Sequence, residues 1–139
     1  MSNYRASLMK LIQPIFNTSW KEVIPATESQ LTEFSRLAHN KGVPEKTILE
    51  LVEFYRITNG IPCVDSLEIH QIDDSILFER WEERELWIGQ RDFYMIRFKD
   101  NKYHLGDASN LNYGDEYVSE SLIGILQIGL NNWYTDDDI

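Results

Sequence analysis

Apolar positions in the first sixty residues recur at helical spacing. Leu8, Leu11, Ile12 and Ile15 mark a first helix over Ser2 to Asn17, although Pro14, which has no amide proton, is expected to end it early or kink it. A second helix opens at Thr27, where Thr27-Glu28-Ser29-Gln30 has the capping-box spacing. Its stripe of Leu31, Phe34, Leu37 and Ala38 runs to Lys41, and Gly42 stops it. Pro44 suits the first turn of a third helix with Ile48, Leu51, Val52 and Tyr55 inside and Glu45, Glu50, Glu53 and Arg56 outside. Asn59-Gly60 supplies its left-handed end.

After Gly60 the period falls to two, as in strands. Leu67 and Ile69 alternate with Glu68 and His70; Tyr94, Ile96 and Phe98 with Phe93, Met95 and Arg97; Tyr103 and Leu105 with Lys102 and His104. Lys99-Asp100-Asn101 tolerates positive φ and reads as a tight antiparallel hairpin. Leu86-Trp87-Ile88 predicts a further strand, paired with Phe93 to Phe98 through a turn at Gln90-Arg91-Asp92. Asp73 to Glu85 fits either a loop or one or two helical turns. Beyond a polar loop from Gly106 to Asp115, Ser119 caps a last helix bearing Leu122, Ile123, Ile125, Leu126, Ile128 and Leu130. Apolar groups nearly surround that helix, which predicts burial on more than one side, with Gly124 and Gly129 allowing close approach to a neighbour. Helices, then a meander, then a helix predict a single α+β domain over residues 1–139, its core spanning about 26–133. An antiparallel twisted sheet of about four to six strands would pack with the N-terminal helices and the C-terminal helix.

Composition supports a packed core: 42% of the 139 residues are hydrophobic and 26% charged, more apolar than disordered chains. The 13 Lys+Arg against 23 Asp+Glu give a net charge of −10, which argues against binding a phosphate backbone. The acidity is uneven. Up to Gly60 there are seven basic and six acidic residues; beyond it there are six and seventeen. The later carboxylates fall in groups, Asp65 to Asp74, Glu79 to Glu85 and Asp107 to Glu116, with Asp136, Asp137 and Asp138 as a solvated tail. Trp81, Trp87, Tyr113 and Tyr117 lie among them, and exposed aromatics among acids suit a binding surface.

Catalytic patterns are sparse. His39, His70 and His104 have no further His or Cys at zinc-site spacing. Glu68 and His70 fit either a weak metal or acid–base pair or two exposed strand positions. Cys63 follows Pro62 without a neighbouring histidine and reads as a buried, inert thiol; as the lone cysteine it suits a reducing cytoplasm. The seven glycines are scattered, so no phosphate loop is present. The start lacks the hydrophobic block of a signal peptide, and the most apolar run, Leu122 to Leu130, is too short to span a bilayer. No catalytic residue, cofactor or metal site is predicted, and an enzyme is the weaker class.

The order of helix, Val43-Pro44, helix through Phe54-Tyr55, Asn59-Gly60, and a meander with Ile88-Gly89, Asp92-Phe93, Tyr103 and Gly106-Asp107 resembles the SUKH superfamily. That group includes yeast cell-wall assembly regulators and bacterial immunity proteins, and the resemblance covers about Ala26 to Trp133. It implies a small bacterial protein that neutralises a cognate toxin, often a nuclease, by stoichiometric occlusion without turnover or cofactor. The charge meets this implication, because a basic nuclease surface attracts an acidic partner. Neither nucleic acid nor membrane is an expected partner. The expected partner-binding residues are Asp65, Glu68, Asp73, Asp74, Trp81, Glu82, Glu83, Glu85, Asp92 and Tyr113. Tyr55, Trp87, Phe93 and Trp133 are assigned to the core. Two alternatives stay open: a non-toxin regulatory interaction module, and a carboxylate-dependent hydrolase.

Overall fold

In the computed structural model, residues 2–17, 23–64, 67–107 and 115–137 are described, with side chains described over 3–14, 23–62, 67–107 and 117–130. The fold is α+β with a six-stranded antiparallel sheet. Two compact units are present, Met1–Ile61 with Gln71–Asp74, and Pro62–His70 with Ser75–Ile139.

The first unit is helical. Helix α1 (Ser2–Asn17) continues through Pro14, against the expectation of an early stop. Proline removes one main-chain donor, and a helix with that loss near its end can persist. Helix α2 (Glu28–Lys41) has the expected capping box: the Gln30 amide donates to Thr27 Oγ1 at 3.1 Å, and the Thr27 amide donates to Gln30 Oε1 at 2.9 Å. Gly42, at φ 86°, ends it in the left-handed conformation. Helix α3 (Glu45–Ile57) takes Pro44 as its N-cap, one position before the first turn, and ends at an extended Thr58. The left-handed Gly60 (φ 88°) lies two residues further on, while Asn59 Oδ1 accepts the Ile72 amide at 2.7 Å.

Both α1 and α2 pack on α3. Leu8, Ile12, Leu31, Phe34, Ile48, Leu51 and Phe54 form the core around the fully buried Tyr55, with Phe34 and Phe54 meeting its ring edge-on at 6.0 and 5.2 Å. Burial pushes the Tyr55 hydroxyl pKa up, and the Asp74 charge adds to the rise. Glu50 was expected outside but is buried. It lies by Tyr4, whose pKa is raised by burial first and by the Glu50 charge second.

The second unit is built on the meander. Strands β1 (Ile61–Val64), β2 (Leu67–Ile69), β3 (Leu86–Arg91), β4 (Tyr94–Lys99), β5 (Lys102–Asp107) and β6 (Asp115–Ser119) lie in sequence order. Residues opposite one another in an antiparallel pair share a face, so the register sorts the side chains. One face carries Ile69, Leu86, Ile96, Phe98, Tyr103 and Leu105, all buried. The other carries Glu68 opposite Gln90, and Trp87, Arg97, His104 and Val118 in a row across four strands. A bulge between Trp87 and Gly89 lets β3 keep its inner face despite an extra residue. A Cβ at Gly89 would come within 2.1 Å of the Glu68 carbonyl oxygen, so only glycine permits this approach of β2.

Helix α4 (Leu122–Asp137) packs on β5 and β6. Leu122, Ile125 and Leu126 are buried, and Ile123, Ile128 and Leu130 half-buried. Ser121, rather than the expected Ser119, caps the helix: its Oγ accepts the Gly124 amide at 3.0 Å, while Ser119 closes β6 and accepts the Ser121 amide at 3.2 Å. The expected close approach holds at Gly124, where a Cβ would meet Ser119 Oγ at 2.0 Å. At Gly129 a Cβ would meet nothing within 4 Å among the described residues. The ambiguous stretch before β3 contains two 3₁₀ turns, Ser75–Phe78 and Trp81–Glu83.

Candidate partner-binding surface

The expected partner residues separate between the two units. Asp73 and Asp74 are exposed on a turn that belongs to the helical unit, where Gln30 Nε2 donates to Asp73 Oδ2 at 3.5 Å. Glu68, Trp81, Glu82, Glu83, Glu85 and Asp92 belong to the sheet unit. Asp65 and Tyr113 lie outside the described residues, as does the Trp133 side chain.

Within the sheet unit the structure brings Trp81, Glu82 and Glu83 together on one 3₁₀ turn. Arg84, at φ 62°, ends that turn in the left-handed conformation and places its guanidinium 5.5 Å from the centre of the Trp81 ring. Phe78 meets the same ring edge-on at 6.4 Å. Trp81 is therefore half-buried, while Glu82 and Glu83 are exposed; Glu83 Oε2 lies 3.5 Å from Arg80 Nη1. Glu68 is half-buried on β2 and accepts a 2.5 Å hydrogen bond from Gln90 Nε2. Asp92 is exposed at the β3–β4 turn with φ 53°.

Glu85 departs from the expected surface role. It is only 4% exposed, with Oε1 at 3.5 Å from Lys99 Nζ and 4.0 Å from Arg97 Nη1. A carboxylate taken out of water needs such partners, and they hold it inside. Phe93 departs in the opposite sense. It was assigned to the core and is 80% exposed, because the turn between β3 and β4 consists of Asp92 and Phe93 and strand pairing resumes only at Arg91 opposite Tyr94. Trp87, also assigned to the core, is half-buried, with its indole nitrogen donating to the Gly89 carbonyl at 3.0 Å. Tyr55 is buried as expected.

The proposed Glu68–His70 pair takes separate partners. His70 is buried just beyond β2, edge-on to Trp87 at 5.6 Å, while Glu68 holds Gln90. His104 is also buried and donates from Nε2 to the Lys99 carbonyl at 2.9 Å. Among the described residues no group of three or more His, Cys, Asp or Glu could hold a metal ion. The helical unit contains an open cleft of about 370 Å³ lined by Met9, Ile12, Val23 and Ile57 with Arg5, Arg56 and Gln13, a set without a nucleophile or a metal ligand.

Sorting the sheet unit's ions by exposure gives its electrostatic character. Arg91 and Arg97 are buried, Arg80 and Lys99 half-buried, and Arg84 and Lys102 exposed. Against those two exposed cations stand, among the described side chains, six exposed carboxylates: Glu79, Glu82, Glu83, Asp92, Asp100 and Glu120. Such a surface can steer a basic macromolecule towards it. Among the described residues no helix is long and apolar enough to cross a membrane. No family model matches the chain, and no curated protein matches it as a relative.

Proposed function

We propose that this chain is an immunity protein that binds a basic, nuclease-type toxin and neutralises it by stoichiometric occlusion in the cytoplasm. It acts without turnover and without a cofactor. The observation that carries this reading is the sheet unit's exposed charge, six carboxylates against two cations among the described side chains. An approaching cationic protein meets more exposed carboxylates than exposed cations on this unit. The resemblance to the SUKH superfamily supplies the biological class, and the α+β architecture with a six-stranded meander is compatible with it. The lone Cys63 supports a reducing compartment.

Co-expression with candidate nuclease toxin domains, a gene neighbour first among them, tests the reading. Restored growth together with a stable complex supports it; unchanged killing overturns it. The charge argument has its own measurement. Reversing Glu79, Glu82 and Glu83 together to lysine is expected to slow association by about tenfold at low salt and to flatten its salt dependence. An unaltered association rate would remove this group from the interface.

A further inference from the structure

The sheet unit has two two-residue hairpin turns in succession, and they differ in chemistry. At the β4–β5 turn, Asp100 and Asn101 take φ 54° and 64°, and both are small polar residues suited to the left-handed region. At the β3–β4 turn, Asp92 takes the left-handed conformation at φ 53° and the next residue is Phe93. Turn geometry calls for no aromatic ring there. Phe93 is nonetheless the most exposed large hydrophobic residue among those described, at 80%. A single exposed apolar side chain is ordinary on a protein surface. Its mounting here is not. The turn is the shortest that joins two antiparallel strands, and both flanking residues are paired, Arg91 with Tyr94, with Arg91 itself buried.

Phe93 is thus an apolar group on a stiff support with only two side-chain torsions to order, which keeps the entropic cost of docking low. Asp92 is exposed beside it, and the described side chains of the sheet unit expose six carboxylates against two cations. An exposed ring next to a carboxylate on such a surface fits an apolar pocket with lysine or arginine at its rim.

We propose that Phe93 is the apolar anchor by which this chain docks on its protein partner, entering a pocket of the toxin that has basic side chains at its edge. This inference rests on the immunity reading and adds to it a residue and a geometry: charge brings the two proteins together, and the hairpin tip holds them.

The test uses the full chain and the nuclease toxin domain that it protects against in co-expression. Phe93→Ser is expected to raise Kd by about 30-fold and to lose protection in co-expression, the size of effect that marks an interface hot spot. Phe93→Trp should retain most of the affinity. Asn101→Gly, at the other turn, keeps a residue suited to the left-handed conformation and should bind within about twofold of the parent, an effect below the hot-spot range. Thermal midpoints unchanged across the three variants would show that the fold is intact, and hydroxyl-radical labelling of Phe93 should fall in the complex. If the parent protects and Phe93→Ser binds as tightly, the anchor is wrong and the immunity reading stands. If the parent neither binds nor protects, the immunity reading fails and the anchor falls with it. A dimer of the isolated chain that Phe93→Ser dissociates would also overturn the proposal, because a second copy would then be the occupant.

Discussion

The helical and sheet-bearing units handle their arginines in opposite ways. In the helical unit Arg5 meets Glu53 at 2.7 Å, Arg36 meets Glu33 at 2.5 Å and Arg56 meets Glu28 at 2.5 Å, all at least partly in water. Seven basic and eight acidic residues leave that unit at −1. In the sheet unit six basic and fifteen acidic residues give −9, and two of the cations, Arg91 and Arg97, are buried. Arg91 and Arg97 offer no charged group at the surface, nor does the buried Glu85, so the described side chains that the sheet unit exposes are six carboxylates and two cations. A residue count is therefore a poor measure of a docking surface until burial is known.

The contrast breaks most readily at Arg97. Arg97→Leu would leave the buried Glu85 with Lys99 as its one cation among the described residues and is expected to lower the unfolding free energy by about 3 kcal/mol in a urea titration. Arg36→Ala, which removes a fully exposed pair, should leave the urea midpoint where it is. Equal losses from the two would mean that the distinction between inner and outer ion pairs is empty.

Packing in the sheet unit gives a smaller effect with a change of sign. Gly124→Ala is expected to destabilise by about 1–3 kcal/mol despite better helix propensity, because the new methyl overlaps Ser119. Gly129→Ala should stabilise by about 1 kcal/mol, since it gains propensity and its methyl meets nothing within 4 Å among the described residues. Calorimetry of the two variants decides, and stabilisation by both would show that α4 does not press on β6.

The smallest effect lies in the helical unit. The Arg5 guanidinium, through its hydrogen bonds, holds the Glu53 carboxyl below its ordinary value of 4.5, against an opposing push from burial. A lowered folded-state pKa means that the pair contributes above pH 4.5 and is lost as the pH falls through the lowered value. Glu53→Gln should therefore melt about 2 °C below the parent at neutral pH, with the difference vanishing in acid. A difference that persists unchanged at pH 2 would assign the stability to packing of the side chain and not to its charge.

What was legible in the sequence was local. The capping box at Thr27, the glycine stop at Gly42 and the Asp100–Asn101 turn depend on residues within a few positions of one another, and each occurs where the pattern puts it. The two strands that escaped detection, β1 and β6, are the edges of the sheet. Ile61-Pro62-Cys63-Val64 contains a proline and Asp115-Glu116-Tyr117-Val118-Ser119 two acids, features that read as loop. They are also the features an edge strand tolerates, since it pairs on one side only. Phe93 was misplaced by a shift of the turn. The alternation sets it with Met95 and Arg97, which are both buried, so parity gave no warning; its exposure follows from its place in the turn, which the pairing of Arg91 with Tyr94 fixes.

By itself the sequence determined the helices, the caps of α2, the inner strands of the meander and the excess of carboxylates after Gly60, because each follows from short-range periodicity or from counting. Only the tertiary structure decided which charges face water. Glu50 and Glu85 read as surface residues, and both are buried near groups far along the chain or on another element, Tyr4 in one case and Arg97 with Lys99 in the other. An ion can leave water only where a remote partner has been brought to meet it, and that meeting is a property of the folded chain.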